Sequence, residues 1–162
     1  MAKTSALVAT YRVQLGPDFG FADLRAVLKP IAALGVSHLY LSPILAATPG
    51  SSHGYDWSPP ARINPELGGP DDYARLRAAA VRRGLGMIVD IVPQHVGIAD
   101  PAANPWLADV LRHGLTSPYA SWFDLLPSPE GVIELPVLGD DGINAVALDG
   151  DGNLVYHQRV FP

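Results

Sequence analysis

The chain has 162 residues, 48% of them apolar, which is enough for one ordinary domain with a buried core. A net charge of −5, from 11 basic and 16 acidic residues, leaves no basic footprint for nucleic acid and no polybasic patch for a membrane surface. Cysteine is absent, which excludes disulfides and zinc–thiolate sites and makes a cytoplasmic setting the simpler expectation. No apolar run approaches the roughly 20 residues that span a bilayer.

Residues 6–13 (ALVATYRV) are β-prone and bounded by Gly16 and Pro17, so they predict a first strand. Leu24, Val27, Leu28, Ile31 and Leu34 then recur at helical spacing, and Gly35 closes the pattern. Pro30 lies inside that helix and should kink it or begin its second half. Residues 36–41 (VSHLYL) predict a second strand, stopped by Ser42 and Pro43. The next loop runs for about 28 residues, too long for a plain connection and therefore expected to be functional.

Gly69 and Pro70 open another helix, with Asp71 and Asp72 at its positive end. Tyr73, Leu76 and Ala80 form an inward stripe, Arg82 and Arg83 suit its last turn, and Gly84 caps it. The third strand, within residues 85–92, is an apolar run suited to burial on both faces of a parallel sheet. Asp90 lies inside that run and needs partners. Pro93 stops the strand, and Gln94 and His95 follow where the strand's carboxyl end opens into a loop. The residues alone leave two readings open, a structural Asp beside an idle His or a functional pair, because parallel α/β folds gather their functional groups at this end of the strands.

Strand, helix, strand, helix, strand is the order of a barrel or a doubly wound sheet. The lack of a GxGxxG after the first strand favours the barrel. The fold class expected is α/β: the N-terminal part of a (β/α)8 TIM barrel, about three strands, followed by the start of an inserted β-rich subdomain. Residues 1–98 are assigned to the first βα units and residues 99–162 to the insertion. There, Asn104 and Pro105 read as N-cap and first-turn proline of a helix ended by Gly114, and residues 132–137, 143–148 and 154–156 as short strands. Asp149 to Asn153 (DGDGN) faintly echoes a calcium loop, but without a downstream bidentate Glu it reads as a hairpin turn. His38, His113 and His157 lack metal-ligand spacing and read as packing or surface residues.

The long loop holds PGSSHGYDW, residues 49–57, which gathers His53, Tyr55, Asp56 and Trp57 between and after glycines. Aromatic rings beside carboxylates suit a pyranose, whose apolar face stacks and whose hydroxyls bind charged acceptors. The alternative is a loop packed by its own aromatics. INPELGG, residues 63–69, reads as a turn into the helix, with Glu66 open to a functional part but read first as a solvated loop acid.

Together, TYRVQL (residues 10–15), LGVSHLYLSPIL (34–45), PGSSHGYD (49–56), INPELGG and DIVPQH (90–95) resemble the alpha-amylase family of glycoside hydrolases and, within it, the maltooligosyl trehalose synthases. The resemblance implies that Tyr55 stacks against the sugar at the cleaved position, Asp56 supports that subsite, His95 hydrogen-bonds the same sugar, and His53 and Trp57 line the pocket. Asp90 would pair with an arginine near the nucleophile and, with Gln94, support the site. Many members carry Asn where this chain has Gln94, and that Asn helps hold calcium; no metal or other cofactor is therefore expected.

The implied reaction converts the reducing-end α-1,4 bond of a maltooligosaccharide to an α,α-1,1 bond with retention of configuration, through a covalent glycosyl-enzyme. No GFRxD-like segment is present, so the nucleophile and general acid are expected beyond Pro162, and the chain reads as an N-terminal piece, inactive alone. Its expected partners are a maltooligosaccharide and the remainder of the barrel, with neither nucleic acid nor membrane. Another alpha-amylase family hydrolase, a trehalose synthase, or a non-catalytic glucan-binding domain stays open as the alternative.

Overall fold

The computed structural model of the chain describes residues 6–98, 100–125, 133, 139 and 142–162. It divides into two compact units, Met1–Val96 and Gly97–Pro162. Among the described residues of the first unit, three strands form a parallel sheet: β1 (Thr10–Val13), β2 (His38–Leu41) and β3 (Gly86–Val89), in that order. Helices α1 (Phe21–Ala26) and α2 (Leu28–Ala33) connect the first two strands, and α3 (Gly69–Arg82) leads into the third.

The register sorts the side chains into two faces, because successive residues of a strand point to opposite sides. Val13, Leu39, Leu41, Met87 and Val89 fall on one face and meet the helices. Leu39 and Leu41 there are fully buried with Phe21, Leu24, Leu28 and Leu76. Each such leucine contributes roughly 1.5–3 kcal/mol by leaving water. Arg12, Tyr40 and Ile88 share the other face, at one level of the register, and Asp90 follows two residues after Ile88. One alternating pattern thus supplies a core and a polar surface.

The helical pattern is interrupted at the approach to Pro30, as expected: it forms two helices that meet at Val27, whose ψ of 7° leaves the α region. The break falls three residues before Pro30. A proline inside a continuous helix clashes with the carbonyl four residues earlier, here that of Ala26; bending at Val27 puts Pro30 in the first turn of α2, where it is tolerated.

The first strand is shorter than 6–13, because the Ser37 hydroxyl accepts from the Val8 and Ala9 N–H groups in place of a ladder. The third ends at Val89, so Asp90 lies just past the strand rather than within it, although its N–H still donates to the Leu41 carbonyl at 2.9 Å.

In the second unit, α4 (Pro105–His113) begins as its sequence dictates: the buried Asn104 side chain accepts from the Leu107 N–H at 3.1 Å and donates to the Gly97 carbonyl at 3.0 Å. Strands β4 (Val146–Leu148), β5 (Leu154–Tyr156) and β6 (Arg159–Phe161) form an antiparallel meander. The strand expected over 143–148 starts only at Val146, since Gly142–Ala145 winds as a 3-10 turn. That expected over 132–137 lies outside the described residues, Ile133 excepted. The Asp149 to Asn153 segment is the turn between β4 and β5, as expected. Among the described residues, no helix is long and apolar enough to cross a membrane.

Candidate functional site

The long loop is a folded excursion. Its two arms pair antiparallel through Leu45 with Ile63 and Ala47 with Trp57. Backbone bonds from Ala46 to Arg62, Ser58 to Ala46 and Asn64 to Ile44 close it. Its exit is fixed by Asn64, whose side chain accepts from the Glu66 N–H at 2.9 Å.

At the tip, Gly54 is buried with φ +74°, and a Cβ there would lie 3.1 Å from the Pro43 carbonyl oxygen. Only glycine passes that point without strain. The Ser51 hydroxyl accepts from the Gly54 N–H and donates to Asp56 Oδ1. Both carboxylate oxygens of Glu66 accept from the Gly50 N–H, at 3.1 and 3.2 Å. Glu66 is exposed but holds the loop, which corrects its reading as a merely solvated acid.

This folding brings Tyr55 over the carboxyl ends of the strands. Its hydroxyl donates to Asp90 Oδ2 at 2.6 Å. Tyr40, from β2, donates to the same oxygen at 3.2 Å. Arg12, from β1, donates from Nη2 to the Tyr55 hydroxyl oxygen at 2.9 Å, lies 4.0 Å from Asp90 Oδ2, and sits over the Tyr40 ring at 5.4 Å. The phenol of Tyr55 is held above its ordinary pKa, chiefly because its hydrogen bond to the Asp90 carboxylate requires the proton, with Arg12 pulling the other way.

Of the residues the sequence singled out, Tyr55, Asp90 and His95 come together. The His95 ring donates from Nε2 to the Tyr55 carbonyl at 3.0 Å, which assigns its hydrogen to that nitrogen. Trp57 shares its Nε1–H between the carbonyls of His95, at 2.7 Å, and Val92, at 3.0 Å, tying the loop to the segment after β3. The His53 ring lies alongside that of Tyr55, with centroids 6.0 Å apart, and His53 Nδ1 accepts the Tyr55 N–H. The Asp56 side chain turns to Ser51 within the loop, and Gln94 is exposed.

Arg12 and Tyr40 were not singled out by the sequence. Their signal was the register itself, since alternation in TYRV and HLYL puts both on the face that Asp90 joins. No three His, Cys, Asp or Glu side chains converge as a metal site among the described residues.

Residues 21–137 match the family model described as alpha amylase, catalytic domain. The chain belongs to the alpha-amylase catalytic-domain family. Over 152 residues it is 51% identical to a Mycobacterium tuberculosis (strain H37Rv) protein provisionally named maltooligosyl trehalose synthase, covering 90% of this chain and 20% of that protein. It superposes on the maltooligosyltrehalose synthase from Arthrobacter ramosus with a TM-score of 0.85 and 45% identity, covering 95% of this chain and 21% of that one.

A more distant alpha-amylase relative, SusG from Bacteroides thetaiotaomicron, is 34% identical over 114 residues, 68% of this chain and 16% of that protein. The chain thus spans about a fifth of the length of the curated synthase it matches. Strands β2 and β3 and helices α1 to α4 lie within the residues that match the catalytic-domain model, while β1 and the antiparallel sheet fall outside that match.

Proposed function

We propose that this chain carries part of the substrate site of a glucosylmutase, which rearranges the reducing-end α-1,4 bond of a maltooligosaccharide to an α,α-1,1 bond in trehalose formation. The observation that carries the reading is the Tyr55–Asp90 hydrogen bond with His95 on the Tyr55 carbonyl, which gathers an aromatic ring, a carboxylate and an imidazole at the strand ends. The likeness to synthases supports the choice of reaction within the family.

In this reading residues 1–98 are the first βα units of the catalytic barrel and residues 99–162 begin an inserted subdomain. Tyr55 stacks on the sugar at the bond that moves, and the exposed edge of His95 hydrogen-bonds it. Trp57 and His53 shape the loop beneath and beside that ring. Asp56 supports the subsite through the loop, and Gln94 borders it.

Neither carboxylate is the nucleophile: Asp56 is bonded to Ser51, and Asp90 accepts two phenols, which stabilise the charge that attack would have to spend. The nucleophile and acid are assigned to segments outside residues 1–162. The absence of cysteine supports a cytoplasmic setting.

The test is product analysis after incubating the protein, as expressed from its own gene, with maltopentaose. Loss of reducing ends without chain shortening is the expected result. A rise in reducing ends would replace it with an amylase, and binding without turnover with a glucan-binding domain.

A further inference from the structure

We propose that Arg12 is a positioning residue of this site: its guanidinium fixes the direction in which the Tyr55 hydroxyl donates, and so locks the ring on which the sugar stacks. The inference rests on the function proposed above and assigns a role to a residue of β1.

A phenol has one hydrogen and can rotate it between acceptors, whereas an arginine can only donate. With Arg12 Nη2 on the Tyr55 oxygen at 2.9 Å, that hydroxyl cannot turn its hydrogen toward β1. The hydrogen is directed to Asp90 Oδ2, 2.6 Å away.

The guanidinium is itself held. Its Nη1 donates to Gln14 Oε1 at 3.4 Å and its plane lies over Tyr40. Gln14 Nε2 in turn lies 3.4 Å from the Ser52 carbonyl and 3.5 Å from that of His53. Strand β1 and the residue after it therefore hold the loop twice, Gln14 at the backbone before Gly54 and Arg12 at the tyrosine after it.

The Arg12 side chain is 44% exposed and 4.0 Å from Asp90, so solvent screens the charge attraction and the directed hydrogen bond is the larger effect. Lysine cannot reproduce it, because an ammonium lacks the planar fork that reaches Tyr55 and Gln14 together.

The experiment is a double-mutant cycle in the protein as expressed from its own gene, with maltopentaose as substrate. Arg12→Met should lower kcat/KM by about 10- to 100-fold, the scale of one charge-assisted hydrogen bond, and Arg12→Lys should recover only part of it. In a Tyr55→Phe background, Arg12→Met should cost almost nothing further. Losses that multiply, or an Arg12→Met enzyme at wild-type rate, would overturn the proposal.

A second measurement is independent of turnover: the ultraviolet titration of the Tyr55 phenol, isolated by subtracting the Tyr55→Phe protein. Its midpoint should rise in Arg12→Met, because a group that stabilised the phenolate has gone; an unmoved midpoint counts against the contact. A wild-type protein that leaves maltopentaose untouched sinks the proposed function, while the titration still decides whether Arg12 holds Tyr55.

Discussion

The two units hold their polar groups at different range. In Met1–Val96 the bonds that make the site join residues 35, 43 and 50 positions apart: Tyr55 to Asp90, Arg12 to Tyr55, and Tyr40 to Asp90. In Gly97–Pro162 the spans are shorter: 17 positions from Gly139 to Tyr156, seven from Asn104 to Gly97, and three and four in the cap from Leu107 to Asn104 and the turn from Asn153 to Asp149. A long-range constellation exists only while the sheet that aligns it exists. A cap or a turn is held by its own few residues. Damage to packing should therefore reach the site in the first unit, whereas damage to a cap in the second should stay local.

The largest effect expected is from Phe21→Ala. Phe21 is fully buried and its ring meets that of Tyr73 at 5.4 Å, so truncation should cost about 3–5 kcal/mol. Denaturant unfolding would read the loss. Amide exchange should quicken through β1, β2 and β3 and at Tyr55 together; exchange confined to α1 would break the link drawn between core and site.

Gly54→Ala should follow, at roughly 1–3 kcal/mol, since it combines positive φ with a Cβ pressed on the Pro43 carbonyl. Its effect on maltopentaose turnover should exceed its effect on the unfolding midpoint, because the strain sits where the loop turns Tyr55 toward Asp90. Equal, small effects on both would show that the loop reaches its geometry without that glycine.

The same difference in range explains what could be read from the chain before its structure. The Asn104–Pro105 cap, the Asp149 to Asn153 turn and the Gly84 stop of α3 were legible because each is a local pattern of residue types. The three parallel strands were legible from apolar runs, though not their ends; that of the first is set by Ser37, from another segment.

Asp90 and His95 stood out at the strand's carboxyl end and Tyr55 in its aromatic loop, the family resemblance gave them roles, and the structure brings them together. Arg12, Tyr40 and the brace from Glu66 to Gly50 went unread. Nothing near them in sequence announces their partners, and the register that pairs Arg12 with Tyr40 is a property of two strands.

Asn104→Ala tests the local side, with an expected cost of about 1–2 kcal/mol from the lost cap. Asn104→Asp should not recover the loss: it keeps the acceptor for Leu107 but sets a buried carboxylate oxygen against the Gly97 carbonyl. Exchange should rise in α4 and stay unchanged in β1, β2 and β3. A rise in the sheet as well would mean that the second unit's cap is not a local device.

The smallest effect should come from acid on the Asp149 turn. The Asn153 side chain donates to Oδ2, and the Asn153 and Asp151 N–H groups donate to Oδ1. These bonds favour the ionised form and hold the carboxyl below the usual carboxylate range in the folded hairpin, with the Asn153 side chain the largest cause. A folded pKa below the unfolded one means the contribution is complete above the ordinary carboxylate pKa and fades as pH falls through the folded value. Nuclear magnetic resonance of the Asp151 and Asn153 amides should thus show the turn loosening only in strong acid. In Asp149→Asn that acid dependence should vanish, since no carboxylate is left to protonate. Loosening that begins near neutral pH, or that persists in the Asn variant, would place its cause in another group and leave the Asp149 turn without the part assigned to it.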